Sequence, residues 1–303
     1  MIDWSSRKLQ PYSKLPVLVT GGSGFIGRRL IKILEILNAD VTSVSRSNSS
    51  SLNTKFCNLS DFESCRSLFL GQSYSIIFHL AGWVSSQSEI ENIREANTNN
   101  VVSTLNILEH TMTYIPETRI IMPGSILENS EIKTPYSVSK TVTSLYSQLY
   151  KLNYHANISP LNICMTYGPN QNLLNLIPYT ITSLMNNETP VKLKLNRQCD
   201  VLYIDDVVNA ILLAGLETCP PEPIYIGTNT STTVKDITDQ ILTLMDKNPE
   251  QVEFNVDDTS DLKYGSPSDL IDAKEYIPWQ PMWTLEDGLA KTIQWYISQA
   301  RRQ

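Results

Sequence analysis

Tyr136 and Lys140 stand four residues apart in Thr134-Pro135-Tyr136-Ser137-Val138-Ser139-Lys140. Residues at i and i+4 share one face of a helix, and Pro135 suits the entry to that helix. An ammonium held near a phenol favours the phenolate and draws its pKa down from about 10. Such a phenol can give and take the proton of a carbonyl–alcohol pair. Upstream, Ser125 follows the apolar run Arg119–Met122, near the carboxyl edge where ligands of a parallel sheet bind. The pair alone decides little, because Tyr/Lys at this spacing also arises on solvated helix faces.

A second stretch, LPVLVTGGSGFIGRRL from Leu15 to Leu30, supplies a site for the other half of a redox reaction. Val17, Leu18 and Val19 form an apolar strand that ends in Thr20-Gly21-Gly22-Ser23-Gly24. A helical pattern opens at about Phe25, and Gly27 falls where that helix crosses back over the strand. Strand, glycine turn and helix in this order let a pyrophosphate approach bare backbone at a helix N-terminus.

The elements that must position these groups alternate. The pattern predicts helices at Gly24–Leu37, Asp61–Leu70, Ile90–Tyr114 and Tyr136–Tyr154. Strands are expected at Asp40–Ser45, Ser75–Leu80, Arg119–Met122 and Ser159–Met165, and Ser47–Ser51 reads as a serine-rich loop. Strand–helix repetition means a doubly wound parallel sheet. Beyond Gly168 the rhythm loosens into helices at Leu173–Met185, Thr233–Met245 and Leu285–Ser298. Short strands are expected there at Val191–Leu195, Cys199–Ile204 and Ile224–Gly227, with a helix from Asp205-Asp206 through Leu216. The expected organisation is a dinucleotide-binding domain over 15–168, with 197–226 returning to it. A smaller α/β substrate-binding part is then assembled from 169–196 and 227–303.

Bulk properties narrow the partners. At 41% apolar and 18% charged, the chain is expected to fold. With 24 basic against 31 acidic residues, neither nucleic acid nor an anionic membrane is the expected main partner. Cys57, Cys65, Cys164, Cys199 and Cys219 are odd in number and lack metal-type spacing, so they read as buried thiols in a reducing compartment. No apolar run reaches membrane-spanning length, and the expected location is cytoplasmic. His79, on an apolar strand, reads as a satisfied core residue. Asp257-Asp258 and Asp261 read as a solvated loop, and no metal site is expected.

Taken together, these motifs resemble the extended short-chain dehydrogenase/reductase family, particularly its sugar-nucleotide epimerase, dehydratase and reductase members. Thr20–Gly27 is similar to that family's TGGxGFIG, and His79–Gly82 to its HLAG strand end. Asn100 with Ser103–Glu109 resembles NvxGTxNLLE, and Pro135–Lys140 resembles PYxxSK. Tyr167–Gln171 resembles YGPxQ, Asp200–Val207 DxxYVDDV, and Trp279–Tyr296 the closing WxPxxxLEdGLxxTixWY. The resemblance runs from Val17 to about Tyr296. It implies a Rossmann fold and a catalytic Ser125–Tyr136–Lys140 triad, with Lys140 also holding the nicotinamide ribose. Implied cofactor contacts are Gly21, Gly24, Phe25, Ile26, Gly27, Arg46, Asn58, Leu59, Leu80, Ala81, Gly82, Asn100, Tyr136 and Lys140. Substrate contacts are expected at Trp83, Ser125, Met165 and Arg197. The family also implies a homodimer through the helices near 90–114 and 136–154, and places Asp205-Asp206 at a structural turn.

Three departures shape the expected activity. The second strand ends in Val44-Ser45-Arg46, where members preferring NAD carry an acid for the ribose hydroxyls; a guanidinium suits a 2′-phosphate, so NADP(H) is favoured over NAD. Only ten residues separate Ser125 from Tyr136, which implies a more open substrate pocket. Ile126 and Leu127 follow Ser125 in place of the Asp-Glu pair of 4,6-dehydratases, which argues against dehydration. Finally, the family's RxxNxYGP arginine and asparagine are Asn162 and Met165 here. The arginine preceding Asp200 is replaced by Cys199, with Arg197 two residues earlier. The expectation is reduction of a 4-keto group on a nucleotide sugar. The alternatives are 4-epimerisation, a substrate without a nucleotide, and a non-catalytic nucleotide-binding scaffold.

Overall fold

The computed structural model describes residues 2–46, 53–85, 89–129, 134–188, 190–194, 197–255, 262–263 and 270–301. The serine-rich stretch at 47–51 and the acidic residues at 257, 258 and 261 lie outside the described residues. Strands β1 (Pro16–Thr20), β2 (Asp40–Ser45), β3 (Thr54–Phe56), β4 (Ile76–His79), β5 (Arg119–Ser125) and β6 (Ile158–Ile163) come first. β7 (Met165–Tyr167), β8 (Val191–Lys194), β9 (Arg197–Cys199), β10 (Val201–Tyr203) and β11 (Ile224–Ile226) follow. β12 (Thr232–Thr233), β13 (Val252–Asn255), β14 (Leu262–Lys263) and β15 (Ile271–Asp272) complete the strands. The α-helices are α1 (Phe25–Ile36), α2 (Phe62–Phe69), α3 (Glu91–Ala96), α4 (Ser103–Tyr114), α5 (Pro135–Tyr154), α6 (Leu176–Met185), α7 (Ile204–Leu216), α8 (Val234–Leu244) and α9 (Leu285–Ala300).

Eight strands form one parallel sheet in the order β15-β11-β6-β5-β4-β1-β2-β3. The doubly wound α/β fold is therefore as expected. Period-two alternation sends Val17, Val19, Ile76, Phe78 and Ile121 into one core and Leu18, Ile77, Ile120 and Met122 into the other. Both faces are covered, which is why these strands read as unbroken apolar runs. One core is roofed by α1 and α7 and runs on without a break beneath α6, α8 and α9. The other lies under α2 and α4. Chain order reverses between β1 and β4, and a crevice opens at the carboxyl ends of strands flanking such a reversal.

The strands expected at Ser159–Met165 and Cys199–Ile204 are divided between β6 and β7 and between β9 and β10, and β12, β13, β14 and β15 are short strands beyond those expected. Two further differences lie nearer the crevice. β3, an edge strand of three residues beside β2, has too little apolar pattern to be read from sequence. The single helix expected over 90–114 is instead α3, a π-helical segment Asn97–Val102, and α4. The wider turn brings Asn100 inward, where its side chain bonds other parts of the fold; such turns recur at functional sites.

Candidate active site

The glycine turn builds the floor of the crevice. Gly21 has a φ of +66°, and a Cβ there would lie 2.6 Å from Ala81 N and from the Leu80 carbonyl. A Cβ at Gly27 would overlap the Gly21 carbonyl, so only glycine lets α1 sit this close to the turn. No side chain caps the N-terminus of α1 at Gly24, so its first N–H groups have no side-chain partner there. The cavity in front, of about 250 Å³, is lined by Gly21, Ser23, Gly24, Arg46, Asn58, Leu59, Leu80, Ala81, Gly82 and Trp83. A bare glycine floor and an uncapped helix start fit a dinucleotide pyrophosphate.

Most of the expected cofactor contacts thus share one cavity. Phe25 and Ile26 are partly buried against the core and are not on the cavity wall, and Gly27 acts through the close approach just described. Asn100 is buried and works on the loop: its Oδ1 accepts the Trp83 N–H at 2.6 Å. Its Nδ2 donates to the Trp83 carbonyl at 3.0 Å and to Ser139 Oγ at 2.7 Å. It therefore ties the loop after β4 to α5. Arg46 is exposed at the end of β2, with Nη1 donating to Asn99 Oδ1 at 3.2 Å. The cavity also takes in Ser45, Cys57, Ser60, Asn99 and Ser103, which motif reading missed. Ser45 was findable as the last residue of a strand on the ligand edge. Asn99 and Ser103 depend on the π-helical register, which leaves no local signal.

Ser125, Tyr136 and Lys140 meet at the carboxyl end of β5. Helix α5 starts where it does because Thr134 caps it reciprocally with Ser137, and Pro135 fills the first turn. That start buries Tyr136 and brings its phenol beside the Ser125 hydroxyl. Burial pushes the Tyr136 phenol up to about 12; the Ser125 hydroxyl lowers it and the Glu128 carboxylate raises it. The expectation that Lys140 keeps this phenol acidic is not met by the chain's own groups. The ammonium donates instead to the Pro123 carbonyl at 3.0 Å and lies beside Gly82 at the cavity edge. Burial pulls Lys140 down, and Glu128 offsets part of that fall.

The remaining candidates have structural surroundings. His79 is buried between the Thr20 hydroxyl at 2.9 Å and the Thr104 hydroxyl at 3.0 Å. Burial first, and then Lys140, push its imidazole down to about 3, so it is neutral. Asp205 pairs with Arg29, and the Asp206 carboxylate accepts the N–H groups of Met282 and Trp283. Among the described residues no group of His, Cys, Asp and Glu is placed to hold a metal. None of the five cysteines forms a disulfide, and all five are buried. Met165 is partly buried against the core and is not on the cavity wall, whereas Trp83 is. Arg197 lies in β9, paired with β14. No helix among the described residues is long and apolar enough to cross a membrane.

The chain is similar to known proteins along most of its length. The chain is 25% identical to the UDP-glucose 4-epimerase of Mycolicibacterium smegmatis, covering 94% of this chain and 99% of that protein. It is 27% identical to the dTDP-D-glucose 4,6-dehydratase of Bos taurus, over 92% and 88% of the two chains. The structure of the UDP-glucose 4-epimerase of Thermotoga maritima with UDP-glucose superposes with a TM-score of 0.83 at 23% identity, over 94% and 100%. That likeness shows the fold. The family model for "NAD dependent epimerase/dehydratase family" matches residues 17–227, the span that holds the glycine turn, the β4 loop and the Ser–Tyr–Lys cluster, and the chain belongs to that family.

Proposed function

We propose that this enzyme uses NADP(H) to reduce a 4-keto group on a nucleotide-activated sugar. The observation that carries the cofactor choice is Arg46 on the cavity wall at the end of β2, beside Ser45. A guanidinium there matches a 2′-phosphate and lacks the acceptor oxygens with which a carboxylate takes the hydroxyl protons of a ribose diol. A bound nicotinamide supplies hydride transfer. The chain's residues then have separate roles. The glycine turn and the start of α1 receive the pyrophosphate, and Lys140, beside Gly82, holds the nicotinamide ribose. Tyr136 stays protonated at neutral pH and delivers its proton to the carbonyl oxygen, while Ser125 orients that oxygen. Ile126 is buried in the core, and Glu128 is engaged with Ser125 and Ser144, which speaks against acid-assisted water loss at this turn.

A second reading, 4-epimerisation with the same residues and tightly held NAD, is favoured by the similarity to UDP-glucose 4-epimerases. Titration with NADPH and NADH, following cofactor fluorescence after a check for co-purified nucleotide, separates the two. Preference for NADPH with no nucleotide carried through purification supports the reductase. NAD that stays bound through purification moves the epimerase first, and binding of neither points to a scaffold. For the chemical step, Tyr136→Phe is expected to lower kcat by about 10²- to 10⁴-fold with NADPH affinity within about threefold. The measurement is steady-state turnover beside fluorescence titration, and unchanged turnover rejects the proton role.

The wider proposal is a cytoplasmic homodimer in which 169–196 and 227–303 cover the substrate. A substrate without a nucleotide would be compatible with Asn162 and Met165 standing where the family has arginine and asparagine.

A further inference from the structure

Behind the Ser125–Tyr136–Lys140 cluster lies a carboxylate that the motifs do not mark. Glu128 belongs to the single 3-10 turn Ile126–Asn129 that follows β5, and it is buried. Its Oε1 accepts the Ser125 N–H at 2.7 Å, and its Oε2 accepts the Ser144 hydroxyl at 2.6 Å. Gly124 admits it, since a Cβ at that position would overlap Oε1. Tyr136, Lys140 and Ser144 follow one another at four-residue intervals, so they line one face of α5. The carboxylate therefore joins the end of β5 to the face of α5 that carries the phenol and the ammonium.

We propose that Glu128 is a positioning residue: it fixes the turn that presents Ser125 and sets a negative charge behind Lys140, keeping that lysine cationic in its buried place. The other groups around the ammonium are uncharged. Lys140 has the neutral Pro123 carbonyl as its hydrogen-bond acceptor. Around it, β4 contributes the neutral His79, α4 contributes Thr104, and β5 and β6 contribute Pro123, Gly124 and Pro160. The π-helical segment contributes Asn100, and Tyr136 lies one turn back on α5. None of these carries a negative charge at neutral pH. Burial pulls the lysine down, and Glu128 acts in the opposite direction on it while pushing Tyr136 up. The carboxylate thus favours the protonated form of each member of the pair, adding to burial at Tyr136 and opposing it at Lys140.

This inference rests on the reading of Tyr136 and Lys140 as the catalytic pair, but its test does not use turnover. Glu128→Gln keeps the side chain's shape and an oxygen for the Ser125 N–H while removing the charge. With lysine labelled at Cε, and the Lys140 resonance assigned by its loss in Lys140→Met, NMR titration reads the Lys140 midpoint directly. The expected result is a midpoint lower in Glu128→Gln by about one pH unit, the size of effect a close opposite charge produces. An unchanged midpoint in folded Glu128→Gln overturns the proposal. Should that variant not fold, Glu128→Asp carries the test: drawing the charge back by one methylene lowers the midpoint by less, and no change overturns the proposal. Full activity in Tyr136→Phe would reject the catalytic pair yet leave this titration standing, so the two failures are distinguishable.

Discussion

A guanidinium at the end of β2 has a charge to offer a phosphate, and Asn99 already takes one of its N–H groups. The remaining donors set the expected effect of Arg46→Ala. Losing charge-assisted hydrogen bonds, each worth about 1.5–3 kcal/mol, weakens NADPH binding by roughly 10- to 100-fold. NADH has no 2′-phosphate, so its affinity should move by less than about threefold. Parallel fluorescence titrations of the variant check this, and an equal loss for both cofactors would remove Arg46 from the phosphate site. At the same scale, Gly21, Gly27 and Ser125 were legible because a tight turn or a strand end demands them locally. Glu128 was not, since its partners Ser125 and Ser144 lie on two different elements.

At the scale of elements, α7 shows how the C-terminal segment is fastened to the sheet. Asp206 in its first turn accepts the N–H groups of Met282 and Trp283, while its own carbonyl accepts the Trp279 indole N–H at 3.0 Å. Burial, partly opposed by those backbone bonds, pushes the Asp206 carboxyl up to about 6. The native state therefore keeps a proton that the unfolded chain, near 3.9, has released. This contribution to stability is full below about pH 4, falls as pH rises to about 6, and is flat above. Asp206→Asn retains an acceptor oxygen and cannot ionise, so its stability relative to the native protein should improve from pH 4 to pH 6 and then hold level. Urea denaturation at pH 4.5, 5.5 and 7 measures this, and a constant difference across the series rejects it. The turn at Asp205-Asp206 was readable from its motif, but its partners 76 and 77 residues away were not.

For the whole molecule, the outer face of α5 is the feature that a monomer leaves unexplained. Val138, Leu145, Leu149 and Leu152 are exposed on it, and α3, with exposed Ile93, packs alongside. Their spacings of seven, four and three residues make a stripe suited to a second helix pair. Pairing of two copies through α3–α4 and α5 is the expected solution state. Leu145→Asp places a charge in that seam and should convert a dimer to a monomer in sedimentation velocity at micromolar concentration. A wild-type protein that sediments as a monomer would reject the homodimer. From the sequence, these helices stood as an interface only through the family resemblance; the exposure of this face was not readable, because any apolar stripe is first expected to face its own core.

The amino-acid sequence by itself determined the parallel sheet, the glycine turn and the Tyr–Lys face of α5, because each depends on period, steric allowance or capping within a few residues. Tertiary structure decided which of the motif residues touch the cavity. It placed Asn100 on the Trp83 loop, drew Asn99 and Ser103 into the cavity through a π-helical register, and bonded Glu128 to both Ser125 and Ser144. Those placements come from hydrogen bonds and packing between elements far apart in the chain, and no local pattern of residue types carries them.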